Sequence, residues 1–127
     1  MSEPLFEITK AATFDAAHRL PGGPRDDLGD GPYTRLHGHS FQVQATIRGP
    51  AVGPVGWVGD LADLDTALKA AAGELDHSML NDHPGLESPT LEALCLFFAG
   101  RLGAQFPGLC RVTVSRPTIG ESCSLAV

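Results

Sequence analysis

The stretch Arg35-Leu36-His37-Gly38-His39-Ser40-Phe41-Gln42-Val43-Gln44-Ala45-Thr46-Ile47-Arg48 alternates without a break. His37, His39, Phe41, Val43, Ala45 and Ile47 take one face of a strand, and Ser40, Gln42, Gln44, Thr46 and Arg48 take the other. The two histidines lie on the apolar, buried-side parity, roughly 7 Å apart at about 3.3 Å per residue. Both are within reach of one tetrahedral ion. A third histidine, His18, closes another alternating segment in which Phe6, Ile8, Ala12, Phe14 and Ala16 share its parity. That segment, residues 5–20, reads as two joined strands or as one long strand with a bulge.

Between these segments, residues 21–34 are loop on composition alone, rich in glycine, proline and aspartate. After them, residues 49–59 form a Gly/Pro-rich turn. Asp60 is suited to cap a helix whose apolar stripe is Leu61, Leu64, Leu68, Ala72 and Leu75. A polar turn over residues 76–85 follows. A second helix opens at Ser88-Pro89-Thr90 and carries Leu91, Leu94, Phe98 and Leu102 at helical spacing. Residues 110–115 and 121–126 are short closing strands. The order ββααββ describes an α+β domain, helices on one face of a four-stranded antiparallel sheet, with residues 1–127 as one domain.

Composition narrows the function. The chain is 43% hydrophobic and 19% charged with a net charge of −6, and its basic residues form no cluster, which argues against nucleic acid as partner. No basic start precedes an apolar run, and no apolar stretch is long enough to span a bilayer. The three cysteines, Cys95, Cys110 and Cys123, are widely spaced and fit reduced thiols, so a cytoplasmic location is expected.

Three neutral imidazoles with no cysteine or carboxylate leave a bound ion its full charge and an open position, the pattern of catalytic zinc. Ligand type also admits copper, nickel or iron(II). Asp76-His77 is either a second reactive pair or a helix-terminal turn. His83, before Pro84, reads as an exposed loop residue, and Cys95 as a core thiol.

Five motifs in order then resemble the family of 6-pyruvoyl-tetrahydropterin and 6-carboxytetrahydropterin synthases. They are Phe14-Asp15-Ala16-Ala17-His18-Arg19-Leu20, Leu36-His37-Gly38-His39-Ser40-Phe41, Gly56-Trp57-Val58-Gly59-Asp60-Leu61, Leu75-Asp76-His77-Ser78-Met79-Leu80-Asn81-Asp82 and Pro89-Thr90-Leu91-Glu92. The resemblance implies the tunnelling fold, with three subunits closing a barrel and two barrels stacking as a homohexamer with sites at subunit interfaces. It implies zinc at His18, His37 and His39, proton transfer by His77 with Asp76, and contacts to the pterin edge from Thr90 and Leu91. The implied reaction is a lyase conversion of 7,8-dihydroneopterin triphosphate to 6-carboxy-5,6,7,8-tetrahydropterin, on the route to queuosine. The alternatives are a 6-pyruvoyl-type or divergent pterin-cleaving enzyme and a non-catalytic zinc- or pterin-binding homologue.

Two positions depart from that pattern. The family's catalytic cysteine, four residues before the first histidine of His-Gly-His, is Tyr33 here, with Asp27 and Asp30 as other candidates for the base. The carboxylate that anchors the pterin ring falls on Arg116 by direct counting, a side chain with no acceptor. Glu121 takes that role if the intervening turn is rearranged.

Overall fold

The computed structural model describes residues 3–20 and 35–127. Strand β1, Phe6–His18, is a single uninterrupted strand paired antiparallel along its whole length with β2, His37–Gly49. The expected break or bulge in the first segment is therefore absent. A register shift occurs instead on the far side of β2, between Thr46 and Ile47, where β2 pairs with β4, Leu109–Arg116. Strand β5, Glu121–Ala126, completes that edge antiparallel to β4.

Helix α1, Leu61–Leu75, starts where expected: the Asp60 side chain accepts from the Ala62 amide at 2.8 Å. Helix α2, Leu91–Leu102, starts two residues later than a cap at Ser88 with Pro89 in the first turn suggested. Thr90 is its cap, with Oγ1 accepting from the Ala93 amide at 3.1 Å, so Pro89 lies outside the helix. Both helices lay their apolar stripes on one face of the sheet. Leu64, Leu68, Leu75, Leu94, Phe98 and Leu102 pack there against Phe14, Phe41, Val43, Val112 and Val114, all essentially without solvent exposure. The Phe14 and Phe41 rings stack across β1 and β2 with centroids 5.0 Å apart.

The sheet has five strands, in the order β3-β1-β2-β4-β5, rather than four. The addition is β3, Ser78–Met79, which runs parallel to Ala16–Ala17 at the edge of β1. A two-residue strand has no periodicity to read, and its sequence passes for turn. On the opposite face the residues are small and polar, and Thr9 and Thr46 satisfy each other through a 2.8 Å hydroxyl contact. No helix among the described residues is long and apolar enough to cross a membrane.

Phe98 is fully buried between the helices and the sheet, beside Phe14 and Phe97. Phe98→Ala should therefore cost about 3–5 kcal/mol, read as a lower denaturant midpoint with an unchanged slope. A loss below about 1 kcal/mol would show that this packing is not the core.

Candidate functional site

The β1–β2 ladder ends on the pair His18↔His37, with His39 two pairs further in, opposite Ala16. Matching parity puts all three imidazoles on the helix-covered face, at the open end of the sheet. Gly38 sits between the two β2 histidines where backbone approaches backbone: a Cβ there would lie 3.3 Å from the Ala16 carbonyl oxygen. The rings meet edge to face, with centroids 4.6 Å (His18–His37), 4.9 Å (His18–His39) and 4.9 Å (His37–His39) apart. One nitrogen from each lies within 4.8 Å of the others.

Two backbone carbonyls orient these rings. Nδ1 of His18 lies 3.3 Å from the Pro89 carbonyl oxygen, and Nδ1 of His37 lies 2.7 Å from that of Arg35. A carbonyl only accepts, so each Nδ1 must carry the hydrogen and donate. In the neutral rings both Nε2 atoms are then lone pairs, and they face each other at 3.0 Å. The Nε2 of His39 is buried with no hydrogen-bond partner. A buried nitrogen without a partner and two opposed lone pairs are costly. A cation between them removes both costs at once. The donor set thus fits a divalent ion bound by three imidazoles, with the carbonyls of Arg35 and Pro89 fixing the ligand tautomers.

Electrostatics favour the unprotonated forms of His18 and His39. Burial, reinforced by the neighbouring His37, lowers the pKa of His18 to about 4. Burial, then the positive charge of Arg116, then His37 also hold His39 below the ordinary histidine range.

Asp76 and His77 form a separate, exposed pair just beyond α1. Asp76 Oδ1 accepts from the Asp15 amide at 2.9 Å, and Oδ2 accepts from Nδ1–H of His77 at 2.8 Å. The His77 amide in turn donates to the Asp15 carbonyl at 2.6 Å. These bonds hold His77 at φ 55°, a left-handed conformation uncommon for a residue with a side chain. The Asp76 hydrogen bond and charge raise the pKa of His77, while the Asp15 amide and then His77 lower that of Asp76. His77 and His39 line one open cavity of about 560 Å³, together with Asp15, Gly38, Ser40 and Met79.

A second cavity, of about 410 Å³, is lined by Arg35, His37, His39, Arg116, Ile119 and Glu121. Arg116 and Glu121 are paired residues at the β4–β5 turn, with Nε and Oε1 3.3 Å apart. Both candidates for the anchoring position thus border the histidines. Thr90 and Leu91 sit differently. The Thr90 hydroxyl caps α2, the Leu91 side chain is buried in the core, and neither lines either cavity. Tyr33, Asp27 and Asp30 lie outside the described residues.

His83 is half-buried rather than exposed. The Ser78 hydroxyl donates to the Leu75 carbonyl at 2.6 Å and so accepts from Nε2–H of His83 at 2.8 Å. Cys95 is a core thiol as expected, and burial with the nearby Cys123 pushes its pKa up to about 11, leaving it unreactive. Sequence reasoning missed Asp15 and the carbonyls of Arg35 and Pro89. Carbonyl acceptors have no sequence signature, but Asp15 lies in the same strand as His18 and was within reach.

The profile of the 6-pyruvoyl tetrahydropterin synthase family matches residues 7–126. A 6-carboxy-5,6,7,8-tetrahydropterin synthase from Synechocystis is 38% identical to this chain over 96% of its length and 91% of its own. The Caenorhabditis elegans 6-pyruvoyl tetrahydropterin synthase superposes with a TM-score of 0.83 at 21% identity, covering 100% of this chain and 99% of that one. The Plasmodium vivax 6-pyruvoyl tetrahydropterin synthase superposes with a TM-score of 0.73 at 18% identity, covering 97% and 98%.

Two measurements test the geometry. Zinc added to purified protein should be retained by the wild type and largely lost from folded His39→Ala. Equal zinc content by atomic absorption would remove His39 from the ligand set. In metal-free protein, His18 binds its proton only near pH 4 when folded but near 6.5 when unfolded. Between those values the unfolded chain holds more protons, so stability is fully present above about pH 6.5. It falls by about 3 kcal/mol as pH drops to about 4. His18→Gln should flatten that part of the profile, and an unchanged slope would contradict the assignment.

Proposed function

The chain belongs to the 6-pyruvoyl tetrahydropterin synthase family, and from that premise we propose that it is a zinc-dependent lyase of the carboxytetrahydropterin branch. Its substrate on this reading is 7,8-dihydroneopterin triphosphate, and its product 6-carboxy-5,6,7,8-tetrahydropterin, in the cytoplasm and on the route to queuosine. The observation that carries the proposal is the convergence of three imidazole nitrogens: Nε2 of His18 and of His37, whose tautomers leave lone pairs facing each other, and the buried, unpartnered Nε2 of His39. The similarity to the Synechocystis enzyme favours the carboxy branch over the pyruvoyl one.

Bound at His18, His37 and His39, zinc supplies a Lewis acid for a substrate hydroxyl oxygen and stabilises negative charge developing beside it. The chain's own groups handle the protons. Asp76 holds Nδ1–H of His77, so Nε2 is the atom through which His77 takes up and returns a proton. Its raised pKa favours the protonated, donating form. Tyr33 stands at the family's base position, with Asp27 and Asp30 nearby in sequence. Glu121 is the carboxylate assigned to the ring N–H groups, and Thr90 and Leu91 match the family positions that bind the pterin edge. Assembly as a homohexamer, a dimer of trimers, would place these groups at subunit interfaces.

The second reading is a divergent pterin-cleaving enzyme or a non-catalytic homologue, and Tyr33 in place of cysteine is what favours it. Incubating zinc-loaded protein with 7,8-dihydroneopterin triphosphate should release triphosphate, acetaldehyde and carboxytetrahydropterin. A folded, zinc-loaded protein that forms none of these contradicts the proposed activity. Tyr33→Phe should lower turnover by about 100-fold or more if the phenol is the base. Full activity would pass the role to Asp27 or Asp30.

A further inference from the structure

Arg116 ends β4 on the face that carries the histidines. Val43 pairs with Val114, so Arg116 shares the side of β2 on which His37, His39 and Phe41 lie. Its side chain is only 11% exposed, and its Nε is buried without a hydrogen bond. Glu121 lies within ion-pair distance, at 3.3 Å, yet is not aligned to accept from that Nε, and it is itself half-exposed. Buried guanidinium groups normally have their donors satisfied. This one instead borders a cavity of about 410 Å³ together with Arg35, His37 and His39. Among the described residues, the Arg116 guanidinium meets the imidazoles of His37 and His39 and the half-exposed Glu121 carboxylate at this cavity.

We propose that Arg116 is the anion-binding residue of this cavity, receiving an oxyanion group of a ligand whose neighbouring oxygen reaches the ion at the triad. The planar guanidinium suits a carboxylate or a phosphate equally. The arriving anion competes with Glu121 for the guanidinium, and the displaced Glu121 carboxylate is then free to accept from ring N–H groups. The inference rests on the proposed function only for the metal at His18, His37 and His39.

The test is a titration of cobalt(II)-loaded protein with glycolate, with inorganic phosphate and with imidazole, followed by visible absorption. Arg116→Gln should raise the dissociation constant of at least one anion about tenfold and leave imidazole binding unchanged. Whether glycolate or phosphate responds identifies the source of the oxyanion. Arg116→Lys should recover part of the loss. Glu121→Gln, which removes the competitor, should tighten the same anion, and this variant serves if Arg116→Gln does not fold. Imidazole binding with neither anion affected by Arg116→Gln overturns the proposal, as does weaker anion binding in Glu121→Gln. Absence of imidazole binding in the wild type instead contradicts the metal site, so the two failures are distinct.

Discussion

The register between β1 and β2 is the constraint on which the rest depends. It pairs Ala12 with Val43, Phe14 with Phe41, Ala16 with His39 and His18 with His37. Each pair puts two buried-side residues on the same face, so a slip by one residue would send one strand's apolar set to the polar face. The stacked pair of Phe14 and Phe41 lies immediately behind the histidines and anchors the ladder where the site needs it. Hydrophobic matching therefore sets the spacing of the three histidines, although no apolar residue belongs to the cluster. The remaining pieces are placed relative to this ladder. The start of α2 brings the Pro89 carbonyl to His18, and Asp15 pins the turn that carries Asp76 and His77.

The two histidine groups are tuned in opposite directions by opposite surroundings. His18 and His39 are pushed toward the neutral form by burial and positive neighbours. His77 is exposed and beside a carboxylate, so its charged form is favoured. The first arrangement suits imidazoles that must offer lone pairs to a cation, and the second suits one that passes protons. Asp76 acts here as an orienting group. Its two oxygens are committed to the Asp15 amide and to Nδ1–H of His77, which fixes the orientation of that imidazole.

Much of this was legible in the sequence because period and chemistry coincide there. The alternation of residues 35–48, the cap at Asp60 and the leucine stripes each report a local preference that tertiary packing leaves intact. Strand β3 was not legible: Ser78 and Met79 are extended only because the backbone at Asp15–Ala17 offers them partners. His83 was misjudged for the same reason, since its partner Ser78 is brought to it by that turn. At the β4–β5 turn, counting alone could not choose between Arg116 and Glu121. The fold pairs them across the hairpin, so both border the cavity and the choice becomes one of role.

The central claim is that three imidazole nitrogens, tuned and oriented by burial and by backbone carbonyls, form one metal centre. X-ray absorption at the zinc edge of the loaded protein tests it most directly. The account predicts one zinc per chain with three imidazole nitrogens at about 2.0–2.1 Å and lighter oxygen ligation beyond them. A sulfur scatterer at about 2.3 Å, or a shell containing fewer than three imidazoles, would contradict it.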